Sequence, residues 1–272
     1  MLGLLLALLQ SVSIGSIVIL EQGPTGLSFP FYINEYAADL TYQRRLETLM
    51  YSLPPTVVAI TTAGDVYHVS GTSLFRNDQQ FGEPFAEPVR SIVLMASGDL
   101  IVHSRSKLIR MDSRGSPRTS IEFDGTDFDV DRDQCTVLFS QSDRLGTFNM
   151  CEGSPSIRLL PLRPPGEFFG VRFLPDETIL AASRDVIFQL ERDGSVIRRF
   201  QPNFAGPLSV FLDPTGSSFI AASLHDGKQL LRFDSDGLHS ATIHDGLSIS
   251  SVAIRGEWRA ALNPLPRRHP SR

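Results

Sequence analysis

Two histidines, a run of aspartates and two cysteines are the residues whose types and spacing could do chemistry in this chain. His68 and His103 lie near the ends of two apolar runs, "GDVYHVS" and "GDLIVHS". Paired imidazoles are common zinc ligands. Counted from Ser70 and Ser104, however, the two histidines differ by one position, and a strand sends successive side chains to opposite faces. We therefore expect surface or partly packed histidines rather than a metal-binding pair.

The acidic segment "DGTDFDVDRDQ" (Asp124–Gln134) places aspartates at alternate positions, as a calcium loop does. It lacks the turn glycine and the closing glutamate of an EF-hand. Phe128 and Val130 alternate with the acids, and this period of two predicts a strand whose acids face water. The sequence contains no GxSxG, no HExxH and no glycine-rich phosphate loop.

The two cysteines stand at matched positions around a predicted hairpin. Cys135 opens the run "CTVLFS" and Cys151 closes "RLGTFNMC". In a hairpin centred on Asp143 these two residues would face each other across adjacent strands, close enough for a disulfide. An exported protein is expected to oxidise such a pair. The alternative is two unrelated buried cysteines.

Composition and charge limit the class of protein. The chain has 272 residues, 42% of them hydrophobic and 20% charged, with a formal net charge of −5, which is typical of a folded protein. A nucleic-acid binder gathers Lys and Arg on one face. The basic cluster of this chain is the segment "PLPRRHPSR", residues 264–272, which we expect to be a disordered tail. We therefore expect no nucleic-acid partner.

The apolar run Leu2–Leu9 is followed by small and polar residues, which is typical of a secretory signal. The pattern lacks a basic region before the run. We expect residues 1–15 to be a signal peptide, with Ser13 and Gly15 as the small residues before the cut, and an extracytoplasmic (periplasmic or secreted) protein with no membrane span after cleavage. The alternative is an uncleaved N-terminal membrane anchor over Met1–Leu20, which is uncharged and about long enough to span.

The elements that must position these residues follow from an internal repeat. A serine ends the second apolar burst of each repeat, and successive serines lie 34 to 43 residues apart: Ser70, Ser104, Ser140, Ser183 and Ser223. Short runs rich in Val, Ile, Leu and Phe, separated by Asp-Gly or Pro-Asp turns, predict strands. Four strands in about 40 residues make one blade of a β-propeller, and blades bury their faces by stacking in a ring.

We predict an all-β protein, a six-bladed propeller of four-stranded antiparallel blades, with seven blades as the alternative. The single domain covers residues 16–263. Its last blade is shared by residues 247–263 and the N-terminal strands. The full blades are expected at residues 56–83, 89–123, 128–162, 168–202 and 207–245. One short amphipathic helix is predicted within "NEYAADLTYQRRLETLMYSLPP", where apolar residues have near-helical spacing before Pro54 and Pro55.

The phrases "FLPDETILAASRDVIFQLERDG" and "LDPTGSSFIAASLHDGKQLLRFDSDG" resemble the NHL and gluconolactonase (regucalcin)-like six-bladed propellers. The resemblance covers roughly residues 56 to 254. It supports the architecture and says little about activity, because the shared phrase encodes turns and strands.

The gluconolactonase-like enzymes hold a divalent cation with a Glu from an N-terminal "EGP", an Asn and an Asp. By that resemblance Glu21, in "EQGP", is the candidate metal ligand. The segments that would supply the Asn and the Asp here read "GPLSVF" and "AASL". The resemblance thus leaves a metal-dependent lactonase or hydrolase, with a divalent cation such as calcium, as the alternative function.

The sequence otherwise shows no catalytic constellation. We predict an exported binding or interaction module, without a cofactor, that takes a protein or a small molecule at the mouth of the propeller. We expect it to be a monomer.

Overall fold

A computed structural model describes residues 16–23, 30–49, 55–131, 133–152, 156–161, 166–202, 206, 208–213, 218–223, 229–234, 237–242 and 248–255. The predicted signal peptide and the predicted C-terminal tail lie outside these residues. Within this part of the chain no helix is long and apolar enough to cross a membrane.

The described residues form strands joined by tight turns. In chain order the strands are β1 (Ile17–Gln22), β2 (Phe31–Tyr36), β3 (Tyr42–Leu49), β4 (Pro55–Ile60), β5 (Val66–Ser70), β6 (Ser73–Arg76), β7 (Gln79–Gln80), β8 (Val89–Leu94), β9 (Leu100–Ser104), β10 (Lys107–Met111), β11 (Pro117–Glu122), β12 (Asp127–Val130), β13 (Thr136–Gln141), β14 (Arg144–Asn149), β15 (Arg158–Leu159), β16 (Gly170–Phe173), β17 (Ile179–Ala182), β18 (Ile187–Leu190), β19 (Val196–Phe200), β20 (Leu208–Leu212), β21 (Phe219–Ser223), β22 (Gln229–Asp234), β23 (Gly237–Thr242) and β24 (Ser248–Ile254).

These strands form six antiparallel sheets of four, which confirms the six-bladed propeller. Blades one to five are β4–β7, β8–β11, β12–β15, β16–β19 and β20–β23, each in sequence order from the inner to the outer strand. Blade six has the order β24-β1-β2-β3 and is built from both ends of the described chain. Its joint is the antiparallel pairing of β1 with β24, in which Ile17 lies opposite Ile254.

The predicted N-terminal helix is wrong. Tyr42–Leu49 is the strand β3, the outermost strand of blade six, and it pairs with β2 over its whole length. Its two apolar residues at helical spacing, Leu46 and Leu49, pack toward blade one with Val58 and Ile60. An exposed outer strand carries charged residues among few apolar ones, and its sequence therefore resembles that of an amphipathic helix.

The repeated serines mark one edge of the ring. Ser70, Ser104 and Ser223 end the second strands of their blades, and each pairs with the first residue of the inner strand. Ser140 pairs with the first residue of β12, and Ser183 directly follows β17. We call the edge of the ring at which these serines lie the serine edge. Since neighbouring strands are antiparallel, the loops that join successive blades reach the same edge.

The core lies between the blades, because both faces of a blade are covered by its neighbours. Between blades two and three, for example, Phe128 and Val130 of β12 pack with Ile101 and Leu108 of blade two. Between blades four and five, Val171 of β16 and Val210 of β20 belong to another buried cluster. The inner strands therefore contribute apolar side chains to the clusters between blades.

The hairpin of blade three contains the predicted disulfide, in a register that differs by one residue. Gln141 pairs with Arg144, so the hairpin is centred between Ser142 and Asp143 and not on Asp143 as predicted. The main chain of Cys135 consequently meets Met150, whose N–H donates to the Cys135 carbonyl at 2.8 Å. Cys151 lies just beyond the strand pair, and the two Cα atoms are 5.3 Å apart in the disulfide.

Candidate functional site

A small cavity lies on the axis of the ring, among the described residues of the inner strands. The inner strands enclose a cavity of about 60 Å³ there, lined mainly by apolar residues of β4, β8 and β24. A water molecule takes roughly 30 Å³ of liquid volume, so this cavity has room for about two waters and for no substrate. The sequence placed the ligand at the mouth of the propeller, and this part of the axis is too narrow for one.

Arg172, which lines the axial cavity, takes part in an ion pair. The guanidinium of Arg172, on β16, donates to the carboxylate of Asp127, on β12, at 2.7 Å, and both side chains are almost buried. Arg172 also lies over the ring of Phe211, 5.6 Å from its centre. The pair joins the inner strands of blades three and four.

The acidic strand is present, but its acids do not face water as predicted. Asp129 is completely buried, and its carboxylate accepts the backbone N–H of Phe173 at 2.7 Å. Asp127 accepts the N–H of Val171 at 3.0 Å. The period of two shows that the acids share one face of the strand. In this inner strand, the neighbouring blade four covers that face, so it does not meet water. These aspartates therefore connect two blades through backbone hydrogen bonds, which explains their alternate spacing without calcium.

A much larger cavity, about 700 Å³, lies off the axis between blades two and three. Its lining comes from the serine edge: the turn after Ser104, the segment that leads from β11 to β12, and residues of β13 and β14. Stacking of the two blades creates this space, since the residues that surround it come from separate strands of both.

Aromatic rings form the apolar side of this cavity. Phe123, Phe139 and Phe148 line it, and Phe123 packs edge-on against Phe139 with ring centres 5.8 Å apart. Two glycines make room for these rings. A Cβ atom at Gly146 would lie 2.6 Å from Cζ of Phe139, and one at Gly125 would collide with the ring of Phe123. Glycine is therefore required at both positions for this arrangement.

His103 lies under the aromatic side of the cavity, and the expectation of a surface or partly packed histidine is wrong. Its side chain is completely buried and packs edge-on against Phe123 and Phe128, at 4.9 and 6.0 Å between ring centres. Burial, with a smaller effect of the Arg90 charge, lowers the pKa of His103 to about 4. The imidazole is therefore neutral at pH 7. Neither ring nitrogen has a hydrogen-bond partner among the described residues.

His68 is also buried, in blade one, and stacks on Phe75 with ring centres 5.0 Å apart. Burial lowers the pKa of His68, and the nearby Asp78 partly opposes this effect. Phe75 belongs to the third strand of blade one, whereas the partners of His103 lie between blades two and three. The two histidines are therefore not brought together, in agreement with their predicted opposite faces.

Charged groups surround the opening of the large cavity. Three carboxylates line it, and each has a partner: Ser106 donates to Glu87 at 2.9 Å, Lys107 pairs with Glu122 at 3.3 Å, and Gln141 donates to Asp124 at 3.5 Å. The arginines that line it are Arg90 and Arg105, both exposed. Neither guanidinium has an ion-pair partner in the part of the chain that the structure describes.

Glu21, the candidate metal ligand, is buried in blade six near the serine edge. Its carboxylate accepts hydrogen bonds from Asn34 Nδ2 and from the Tyr36 hydroxyl, each at 2.6 Å. Burial and this carboxylate both raise the pKa of the Tyr36 phenol, which thus remains a donor. These two hydrogen bonds occupy one acceptor site on each oxygen of the carboxylate. The metal hypothesis for Glu21 remains a prediction.

No group of three or more His, Cys, Asp or Glu residues among the described ones is arranged to hold a metal ion. Sequence reasoning missed the large cavity, because its residues come from distant strands. One local signal was present: the segment "IEFDG" (Ile121–Gly125) puts an apolar, an aromatic and two acidic side chains at the junction of two blades.

Solved structures with the same fold support the architecture. A protein of unknown function from Bacteroides caccae is 16% identical with a TM-score of 0.64, and the match covers 89% of this chain and 98% of that one. A virginiamycin B lyase from Staphylococcus aureus is 13% identical with a TM-score of 0.57, covering 86% and 95%. A streptogramin B lyase is 15% identical with a TM-score of 0.55, covering 72% of each chain.

No protein-family model matches the chain, and no curated protein matches it in sequence. At 13 to 16% identity the structural likeness establishes a shared propeller fold and carries no activity from those proteins to this one.

Proposed function

We propose that this protein is an extracytoplasmic propeller of the NHL and gluconolactonase-like class that acts as a binding module. Its ligand site is the cavity between blades two and three. The observation that carries the proposal is the size of this cavity, about 700 Å³, against about 60 Å³ in the cavity on the axis.

The cavity has the features of a small-molecule site. Such sites measure roughly 300 to 1,000 Å³ and combine apolar and aromatic walls with a few polar groups that set orientation. Here Phe123, Phe139 and Phe148 supply the aromatic wall, and charged residues surround the opening. The rings pack on one another, so the wall is formed before any ligand arrives and little ordering is needed on binding.

Two observations support the extracytoplasmic location. The Cys135–Cys151 disulfide is typical of proteins that fold in an oxidising compartment. The apolar run Leu2–Leu9, followed by small residues, is typical of a secretory signal.

The experiment that tests the site uses an uncharged aromatic probe, 2-naphthylmethanol, and measures binding by calorimetry and by backbone amide NMR. We expect binding, with shift changes concentrated around Ile121–Gly125. In a second step, Ile121→Trp places a large ring in the cavity, since Ile121 lines it. This variant should lose most of the affinity.

The matched control is Thr119→Trp, because Thr119 is exposed and lies on the same strand, two residues from Ile121 and on the same face. It should bind the probe as the wild type does. The proposed site is wrong if the wild-type protein shows no binding, or if Ile121→Trp and Thr119→Trp bind the probe equally.

A further inference from the structure

The carboxylates and the arginines at the large cavity differ in the side-chain contacts that they make. The carboxylates of Glu87, Glu122 and Asp124 each accept a hydrogen bond or an ion pair from a neighbouring side chain. Arg90 and Arg105 line the same cavity. Within the described chain, neither arginine takes part in an ion pair or a side-chain hydrogen bond. The positive groups thus retain their hydrogen-bond donors, whereas the negative groups have partly used their acceptors.

The two arginines come from one side of the cavity. Arg90 is the second residue of β8, the inner strand of blade two, and Arg105 follows Ser104 in the turn between β9 and β10. Phe139 and Phe148 belong to blade three. Both arginines of the cavity therefore lie on blade two, where Glu87 and Glu122 also line it, and two of its three aromatic rings lie on blade three.

From this arrangement we propose that the cavity selects an apolar organic anion, whose ring or hydrocarbon body packs on the aromatic side and whose carboxylate, sulfonate or phosphate group is bound by Arg90 and Arg105. Guanidinium groups bind such anions through paired, parallel hydrogen bonds. The neutral His103 beneath the aromatic wall adds no charge to the site. This inference rests on the proposed function, because it names the ligand class of the same cavity.

The size of the cavity identifies the ligand as a small molecule. A volume of about 700 Å³ encloses a molecule of drug size. Both arginines are exposed, so water weakens each ion pair, and an exposed pair raises the affinity about fivefold at most. Two such pairs correspond to roughly a tenfold gain in affinity, or somewhat more, for an anion over an uncharged analogue.

The test compares three probes with the same ring and different charge: 2-naphthoate, 2-naphthylmethanol and 2-naphthylmethylamine. Affinities are measured by calorimetry at low ionic strength, because salt screens exposed charges. We expect 2-naphthoate to bind about tenfold more tightly than the alcohol and the amine to bind most weakly. In the Arg90→Gln/Arg105→Gln variant, the preference for 2-naphthoate over the alcohol should disappear.

The control variant is Arg114→Gln/Arg118→Gln. It removes the same amount of charge from blade two, at exposed positions away from the cavity, and should leave the preference for 2-naphthoate intact. Equal binding of all three probes, or tightest binding of the amine, would overturn the inference and leave the proposed binding site standing. If none of the three probes binds, the proposed function fails and the inference fails with it.

Discussion

Cys135 occupies in blade three the position that Asp99 occupies in blade two: each lies five residues before the serine at the serine edge. In blades one, two, four and five this position holds a side chain tied to the third strand of its own blade. The contacts are Asp65–Arg76 at 2.7 Å, Asp99–Arg110 at 2.8 Å, Gln189 to Thr178 at 3.1 Å, and Arg232 to Ser218 at 3.2 Å. Each of these blades thus has one polar side-chain contact that joins its second strand to its third, near the start of the second strand.

In blade three the Cys135–Cys151 disulfide takes the place of this polar contact. Arg110 lies opposite Ile101 in blade two, and the corresponding residue of blade three is Phe148, opposite Val137. A phenylalanine cannot pair with a polar group at this position and instead packs into the wall of the large cavity. Cys151, three residues further along, supplies the connection.

We predict that the disulfide stabilises the fold more than the ion pair at the matching position. Closing a loop of this length stabilises a protein by about 3 kcal/mol, and Cys135→Ser/Cys151→Ser should lose about that much free energy of unfolding. Asp99→Ser should lose less than about 1 kcal/mol, since the Asp99–Arg110 pair is partly exposed. Urea denaturation of both variants measures the difference. Equal losses would contradict the prediction.

We predict that Glu177→Gly stabilises the protein. Glu177 has a φ of +70° in the turn before β17, and the matching residues of blades one and two are glycines, Gly64 and Gly98, with φ of +97° and +83°. The left-handed conformation costs a residue with a Cβ about 1–2 kcal/mol, and the flexibility of glycine in the unfolded chain offsets part of the gain. A net gain of roughly 0.5–1 kcal/mol is expected in thermal or urea unfolding.

The reciprocal substitution is the control. Gly98→Glu should destabilise the protein by about 1 kcal/mol or more, because it places a residue with a Cβ in the left-handed conformation of Gly98. A loss of stability in Glu177→Gly would show that its side chain contributes more than the backbone strain costs.

We predict that stability falls between pH 6.5 and 4.5 because of His103. Its pKa is lowered from 6.5 to about 4 in the folded protein, so in this range the unfolded chain binds a proton that the folded one does not. Unfolding is then favoured as the pH falls, by roughly 3 kcal/mol in total once the pH is below 4. Asp127 faces this imidazole and opposes the shift, whereas Arg90 adds to it.

His103→Leu isolates this contribution. The variant should be at least as stable as the wild type at pH 7, because it removes a buried N–H that has no partner among the described residues. Its stability should change less between pH 7 and 4.5, measured by urea unfolding. An NMR titration in which His103 shows an ordinary pKa near 6.5 would contradict the explanation.

We predict that the axial ion pair tolerates removal of both partners better than removal of one. Arg172→Met leaves the Asp127 carboxylate almost buried without its cation, which should cost about 3 kcal/mol. Asp127→Asn/Arg172→Met should recover a large part of this loss, since the side-chain carbonyl of the new asparagine still accepts the Val171 N–H. The exposed pair Lys107–Glu122 is the control, and Lys107→Met should cost less than about 1 kcal/mol. A double variant less stable than Arg172→Met would count against this account.

The fold could be predicted because the sequence of each blade carries turn residues at similar places. Regular spacing of the serines, from Ser70 to Ser223, gave the number and place of strands without any knowledge of contacts between blades. Strand pairs between residues far apart in the sequence were harder to predict. The residues of β3 have near-helical spacing, and only their pairing with β2 identifies them as a strand. The register of the β13–β14 hairpin differs from the prediction by one residue, because the sequence did not determine the exact position of the turn.

The candidate site could not be predicted, because stacking of blades alone brings its residues together. Arg90 and Phe148 lie on strands of different blades, and no local pattern relates them. The aspartates of β12 show the same limit: their alternation correctly indicated a strand, but only the position of blade four reveals that Asp129 is buried. The equivalence of Cys135 with Asp99 was visible in the sequence once each serine was used as the reference position.

The joint between β1 and β24 determines when this protein can finish folding. A ribosome makes β1 first and β24 last, so the residues Ile17–Leu20, which are at most 1% exposed in the finished ring, stay uncovered on one side while nearly all of the chain is synthesised. Blades one to five can each form as they emerge, but blade six cannot. The ring can therefore close only after blades one to five have been synthesised.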